Sequence, residues 1–137
     1  MAIEAPTIYP SLRYRDAPAA IEFLERAFGF RRHEVIENPD GTIAHAELVY
    51  GTGMVMLGSE REDPLTGPRA GKGWLYMVVN DPDRHCETAR AAGAEIVTEL
   101  SDTDYGSRDY AARDPEGNLW HFGTYRPAAI ETEAAAA

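Results

Sequence analysis

The strongest constraint on the fold is an internal repeat, visible as helix-capping residues that recur at a nearly fixed interval. Asp81 follows Asp16 by 65 residues, and Gly93 follows Gly29 by 64. In both halves the aspartate precedes a helical pattern and the glycine ends it, because Asp is a favoured N-cap and Gly a favoured C-cap. Matching caps at a matching interval indicate two tandem copies of one structural unit.

Each copy of the repeat is predicted to contain one strand, one helix and then three more strands. The strands are predicted over 7–14, 31–37, 42–50 and 54–58 in the first copy, and over 74–80, 95–100, 107–113 and 119–125 in the second. We therefore predict an α+β fold of two tandem βαβββ modules whose curled mixed sheets enclose a cleft. One helix covers one face of a four-stranded sheet, so the other face must find a different cover. The alternative is that the sheets close on a packed core.

The repeat also predicts the domain organisation. One domain is expected over 1–130, with modules at about 5–58 and 74–126. The segment 59–73 between them is rich in Pro, Gly and charge and is predicted to be a linker. The last segment, 131–137, has no apolar periodicity and is predicted to be a flexible tail.

Composition excludes several classes of partner and compartment. The formal charge of −10, from 23 acidic and 13 basic residues, repels phosphate backbones, so we expect no nucleic-acid partner. No apolar run is long enough for a membrane span, and the first residues lack the features of a signal peptide. The single cysteine, Cys86, fits a reducing compartment. We therefore expect a cytoplasmic protein that does not associate with membranes.

Three segments carry a resemblance to a known family: IYPSLRYRDAPAAIEFLERAFGF, AHAELVYGTGMVMLG and RDPEGNLWHFGTY. They resemble the vicinal oxygen chelate superfamily and, within it, the glyoxalase/bleomycin resistance group. The resemblance covers nearly the whole chain outside 59–73 and the tail. It implies paired βαβββ modules in a homodimer, with clefts formed by modules in pairs. Family members include lyases, epimerases, dioxygenases and transferases, together with proteins that sequester bleomycin-type antibiotics.

The resemblance also implies four positions for metal ligands, on the first and last strands of each module. They fall on Tyr9, Met56, Trp74 and His121. A catalytic divalent metal needs about three ligands from His, Asp, Glu or Cys, and only His121 is of that kind. Shifting the strands by one residue restores no ligand. We therefore predict the family fold with no metal or other cofactor, a divalent metal being the alternative.

The predicted cleft instead carries aromatic and thioether side chains, which suit a flat or cationic organic ligand. Arg13 could meet a ligand carboxylate or pair with a glutamate of the cleft. Arg108 and Tyr110 share a face that the sequence does not identify. The predicted ligand-binding residues are Tyr9, Arg13, Met54, Met56, Trp74, Tyr76, Arg108 and His121.

Histidines offer the remaining chemistry. His121 lies between Trp120 and Phe122, which we expect to face the helix. It either makes a simple hydrogen bond in the cleft or contacts the ligand and transfers a proton. His45 and Glu47 project from one face, as a solvated pair or as holders of a proton or a weakly bound metal. His33 and His85 are predicted at the surface, and Cys86 is predicted to be an inert core thiol.

These observations favour a binding protein for a small organic molecule, aromatic or cationic, like the antibiotic-sequestering members of the family. The alternative is a glyoxalase-like lyase, isomerase or dioxygenase whose rearranged metal site uses His121, His45 and Glu47. A third possibility is that the sheets close and the protein acts only through a partner. The missing ligands argue against metal-dependent activity, and the sequence leaves open whether the protein is an enzyme.

Overall fold

The computed structural model describes residues 6, 8–65 and 70–127, and within them the two halves have the same order of elements. The predicted tail, 131–137, lies outside these residues. The first module contains β1 (Ser11–Tyr14), α1 (Ala17–Phe28), β2 (Arg31–Glu37), β3 (Ile43–Tyr50) and β4 (Gly53–Ser59). The second contains β5 (Trp74–Val78), α2 (Pro82–Ala91), β6 (Glu95–Asp102), β7 (Arg108–Arg113) and β8 (Leu119–Gly123). The predicted α+β fold with two βαβββ modules is confirmed.

Both helices begin where the sequence predicts. Asp16 and Asp81 each accept a hydrogen bond from the backbone N–H three residues later, at 3.2 and 3.1 Å. Each is followed closely by a proline in the first turn, where a missing N–H costs nothing. Helix α1 ends at Gly29, whose φ of +86° lies in the left-handed region that glycine favours. The shared capping chemistry explains why the repeat is visible in the sequence.

Each module builds one four-stranded sheet in which the first strand runs parallel to the last. The strand orders are β1-β4-β3-β2 and β5-β8-β7-β6. Strand β1 is shorter than predicted: it begins at Ser11, directly after Pro10, whose ring nitrogen carries no hydrogen for a strand ladder. Tyr9 therefore precedes the strand.

Residues alternate between two faces of each sheet. Along β4, Val55 and Leu57 are buried, whereas Met54 and Met56 are half-buried. The buried set packs under the helices. We call the opposite side of each sheet, which carries Met56 in the first module and His121 in the second, the open face.

The helix-facing sides of both sheets contribute to one shared core. Helix α1 packs against α2, and the ring of Phe28 lies 5.3 Å from that of Trp120 and 4.9 Å from that of Phe122. Trp120 and Phe122 are fully buried, as predicted, and Cys86 is buried in the same core. Neither helix in the described part of the chain is long and apolar enough to cross a membrane.

The prediction that His85 lies at the surface is wrong. Because α2 packs on α1, His85 of α2 is held between the modules and is only partly exposed. Its Nε2 lies 3.0 Å from the carbonyl oxygen of Phe28, and its Nδ1 lies 2.5 Å from the hydroxyl of Tyr110. Burial lowers the pKa of His85 below its usual value.

At one end of the contact between the modules, the β7–β8 turn fills the gap with polar side chains. The buried carboxylate of Asp114 accepts from the hydroxyl of Tyr14 at 2.6 Å, from Asn118 at 3.0 Å and from the indole of Trp120 at 3.1 Å. Asn118 accepts in turn from the N–H of Gly73, at the end of the predicted linker. The equivalent β3–β4 turn of the first module makes no such network with the described residues, and a cavity of about 370 Å³ lies beside it.

Candidate functional site

The open face of the second module carries a histidine–aspartate pair. His121 on β8 places its Nε2 3.0 Å from Oδ2 of Asp109 on β7. The carboxylate of Asp109 is buried, and it also accepts from the hydroxyl of Ser107 and, more weakly, from that of Tyr105 at 3.4 Å. Because a carboxylate accepts here, Nε2 is the donor, and in the neutral imidazole Nδ1 is left as the acceptor. No residue in the described part of the chain hydrogen-bonds to that Nδ1.

Aromatic rings surround this pair. The ring of Tyr76 lies 5.7 Å from that of His121, and its hydroxyl donates to the carbonyl oxygen of Tyr125 at 2.6 Å. Tyr105 packs edge-on against Tyr125 at 5.8 Å. Burial, followed by the negative charge of Asp109, raises the pKa of the Tyr76 hydroxyl above its usual value. Trp74, two residues before Tyr76 on β5, is 77% exposed, so the edge of this aromatic group is open.

Gly123 makes the close packing of this cluster possible. It pairs with Asp109 in the β7–β8 register. A Cβ at position 123 would approach the Asp109 carboxylate and would lie 2.9 Å from the Tyr76 hydroxyl. Any larger residue would force these groups apart, so glycine is required here for the geometry of the site.

The open face of the first module has a different character. Nε2 of His45 lies 2.8 Å from Glu47, and Nε2 of His33 lies 3.8 Å from the same carboxylate. Arg13 extends over Gly58, where a Cβ would lie 2.5 Å from the guanidinium. Burial, and next the nearby charge of Arg61, lowers the pKa of Arg13. This face therefore holds charged groups where the second module holds aromatic ones.

The predicted ligand-binding residues divide into separate groups. Trp74, Tyr76 and His121 lie together on the open face of the second module. Arg13 and Met56 lie on that of the first. Met54 lies on the same side of β4 as Met56. Together with Tyr76 of the second module, it lines the cavity between the modules. Tyr9 is half-buried and lies ahead of β1.

Arg108 does not belong to the site. It points to the helix side of its sheet, the side that also holds the buried Tyr110. Its guanidinium pairs with both carboxylate oxygens of Asp83, at 2.7 and 3.2 Å, and with Asp102 at 3.1 Å. These hydrogen bonds raise its pKa. The register of β7 explains the correction, because residues 108 and 110 share the helix-facing side.

The residues of one chain do not fit the metal site that the family implies. No group of three His, Cys, Asp or Glu side chains within residues 6, 8–65 and 70–127 stands close enough to hold a metal ion. His45 and Glu47 lie in the first module and His121 in the second, so the rearranged site considered above is not assembled within the chain.

Sequence reasoning missed the partners that give His121 its surroundings: Asp109, Ser107, Tyr125 and Gly123. Strand alternation was the available signal, since assigning the apolar Tyr110 to the core would have turned Asp109 to the open face. The pairing of residue 109 with residue 123 depends on register, which the sequence does not specify.

Comparison with known proteins agrees with this architecture. The family model described as glyoxalase/bleomycin resistance protein/dioxygenase superfamily matches residues 8–122. An uncharacterised protein of Mycobacterium tuberculosis (strain H37Rv) is 33% identical over 131 residues, which cover 90% of this chain and 77% of that protein. A protein of Mycobacterium bovis is also 33% identical, over 90% of this chain and 86% of its own length.

Solved structures give the same result. The structure of TioX from Micromonospora sp. ML1 has a TM-score of 0.73 and 38% identity, covering 87% of this chain and 98% of TioX. A glyoxalase/bleomycin resistance protein/dioxygenase family enzyme from Burkholderia phytofirmans has a TM-score of 0.67 at 23% identity, covering 84% and 94%; it supports the fold alone. The chain belongs to the glyoxalase/bleomycin resistance protein/dioxygenase superfamily.

Proposed function

We propose that this protein binds a small organic molecule, flat and cationic, on the open face of the second module, without the metal of its enzymatic relatives. The observation that carries the proposal is the buried Asp109 carboxylate, which orients His121 and is ringed by tyrosines. A cationic N–H of the ligand would donate to Nδ1 of His121. Its rings would stack on Tyr76 and Trp74, because an aromatic face attracts a cation.

Charge supports a cationic ligand. The formal net charge of −10 creates a field that attracts cations towards the protein. Within the cluster itself, the negative charge of Asp109 contributes to the raised pKa of Tyr76. The family also includes bleomycin resistance proteins by its own description, so binding without catalysis is an activity known in the family.

The open faces also support assembly. Large apolar side chains on or beside them are exposed, among them Trp74 at 77%, Tyr105 at 62% and Ile36 at 48%. Exposed apolar groups in proximity favour a partner or ligand that covers them. We propose a homodimer in which a second copy provides this cover. Light scattering after gel filtration should give twice the chain mass of 15.1 kDa; a monomer at micromolar concentration would contradict the dimer.

Two dyes with the same three-ring body test the charge preference. At pH 7.5, 9-aminoacridine is a cation and acridine is neutral. We expect 9-aminoacridine to bind more tightly, and Asp109→Asn to weaken its binding about 10-fold or more, the range for a charge-assisted hydrogen bond. Trp74→Ala should weaken both dyes about 5-fold through lost stacking. Chelator treatment should change neither affinity.

Glu47→Gln is the matched control, because it removes one carboxylate from the open face of the other module. Fluorescence titration should give the same affinities for this variant as for the parent protein. The proposal fails if both dyes bind equally, if Asp109→Asn has no effect, or if the chelator abolishes binding.

The orientation of His121 favours one second candidate: a metal-free lyase or isomerase in which Nδ1 takes a proton from carbon. The probe is 5-nitrobenzisoxazole, from which a base removes the C3 proton while the N–O bond breaks, giving a coloured cyanophenolate. A general base contributes about 10²–10⁴-fold. His121→Gln should reduce the rate to that of the doubly substituted protein that carries both His121→Gln and His45→Gln. Equal rates for the parent protein and His121→Gln would exclude this candidate.

A further inference from the structure

The cavity between the modules is separate from the open-face cluster in its chemistry. Its volume is about 370 Å³, within the range of small-molecule sites. Its walls come from the segment before β1, the β3–β4 turn and β5. Most of the lining is apolar, and it includes Ile8, Pro10, Phe30, Met54, Leu75 and Met77.

The cavity exists because the β3–β4 turn is small. Gly51 and Gly53 have no side chain and Thr52 has a short one, and all three residues line the cavity opposite β5. Gly51 has a φ of +57°, so a side chain there would also be strained. At the equivalent place in the second module, Asp114 and Asn118 bridge the gap. The cavity therefore accompanies the small residues of the β3–β4 turn, whereas the larger polar residues Asp114 and Asn118 occupy the β7–β8 turn.

Among residues 6, 8–65 and 70–127, one charged side chain lines this apolar cavity: Arg126, which is exposed. Arg126 makes no ion pair with any residue in the described part of the chain, although acidic residues outnumber basic ones 23 to 13 in the whole sequence. A guanidinium binds carboxylates and related anions in a two-pronged geometry. A guanidinium that makes no ion pair with a described residue and lies beside an apolar cavity suits a ligand that is apolar along its body and anionic at one end.

We propose that this cavity binds a largely apolar small molecule carrying one anionic group, which pairs with Arg126. The site is distinct from the one under the proposed function, which takes a cation, although Tyr76 borders both. Binding here does not depend on Asp109, His121 or Trp74.

Two fluorescent probes of similar apolar shape test the proposal: 8-anilinonaphthalene-1-sulfonate, an anion, and N-phenyl-1-naphthylamine, its neutral counterpart. We expect both to bind. Arg126→Gln should weaken the anion about 10-fold, as expected for the loss of one charged contact, and leave the neutral probe unchanged. Equal effects on the two probes, or no effect on the anion, would overturn the role of Arg126.

Filling the cavity locates the probes. Leu75→Trp fills it from β5, and Thr52→Trp fills it from an exposed turn where the risk to folding is small. Both should abolish binding of both probes, with circular dichroism confirming the fold. Val97→Trp, at an exposed position outside the cavity, is the matched control and should leave binding intact. Retained binding in Thr52→Trp would overturn the site.

The two proposals fail separately. Thr52→Trp should leave binding of 9-aminoacridine unchanged, and Trp74→Ala should leave binding of the anionic probe unchanged. Loss of the anionic probe in Trp74→Ala would assign that probe to the open face and overturn the cavity site.

Discussion

The β3–β4 and β7–β8 turns hold the same place in two copies of one module, yet they do opposite things to the contact between the modules. The β7–β8 turn inserts Asp114 and Asn118 and joins the modules through hydrogen bonds. The β3–β4 turn is small and leaves a cavity lined mostly by apolar groups. A hairpin needs only a turn to connect its strands, so the side chains of the turn were free to diverge. One turn joins the modules by hydrogen bonds, and the other borders a cavity.

Several hydrogen-bond donors surround Asp114, and they explain how the β7–β8 turn stabilises the contact between the modules. Beyond its three side-chain donors, Asp114 accepts from the backbone N–H of Glu116 and of Asn118. Four of these five hydrogen bonds are buried, and the one from Glu116 is partly buried, so water does not readily replace the carboxylate. Burial, and next the charge of Asp114, raises the pKa of the Tyr14 hydroxyl far above its usual value. Tyr14 therefore stays protonated and remains a donor.

The largest expected effect comes from removing this acceptor. Asp114→Ala strands the hydroxyl of Tyr14, the amide of Asn118 and the indole of Trp120. We expect a loss of about 3–5 kcal/mol in the free energy of unfolding, because each buried unpaired donor costs about 1–3 kcal/mol and the losses overlap. Urea unfolding measures it. Tyr14→Phe removes one donor and should cost about 1–2 kcal/mol in the free energy of unfolding. A loss below about 1 kcal/mol for Asp114→Ala would contradict the claim that the β7–β8 turn stabilises the contact between the modules more than the β3–β4 turn does.

A smaller effect is expected at Glu116, on the exposed side of the same turn. Its carboxylate accepts from the backbone N–H groups of Arg15 and Asp16 at 2.6 and 2.7 Å, just before helix α1. Glu116→Ala should cost about 1 kcal/mol, like the loss of a helix cap, because water can reach the freed groups. Glu116→Gln keeps an acceptor and should recover part of the loss. Identical unfolding curves for Glu116→Ala and the parent would show that Glu116 does not help this turn to stabilise the contact between the modules.

Acid should weaken the contact at His85. Burial lowers its pKa in the folded protein from a usual value of 6.5, so the unfolded chain takes up the proton first as the pH falls. Stability is therefore fully present above about pH 6.5 and is lost as the pH falls through the lower folded value. His85→Gln keeps an N–H donor towards Phe28 but does not titrate. Melting temperatures at pH 7.5 and 5.5 should differ less for His85→Gln; an equal difference would contradict this account.

The smallest effect is expected in the β3–β4 turn. Thr52→Ala removes a side chain that bridges nothing, so the free energy of unfolding should change by less than about 0.5 kcal/mol. The urea experiments on Asp114→Ala provide the reference. A loss of 1 kcal/mol or more would mean that this turn also stabilises the contact between the modules.

The sequence predicted the fold well because its signals are local. The caps at Asp16 and Asp81 and the alternation along β4 depend on neighbouring residues. The site was harder, because it depends on groups brought together from β5, β7 and β8. His121 and Tyr76 were found through the repeat, whereas Asp109 required the register of β7. His85 was misplaced because the packing of α2 on α1 is a tertiary fact that one helix pattern does not contain.

The position of Phe28 has a consequence for the folding of the chain. This residue ends α1 of the first module, yet its ring lies against Trp120 and Phe122 of the second. The two modules therefore share one core. We expect a fragment of residues 1–60 to yield an aggregation-prone peptide and the whole chain to unfold in a single cooperative transition. The two copies of the repeat would then fold together as one unit.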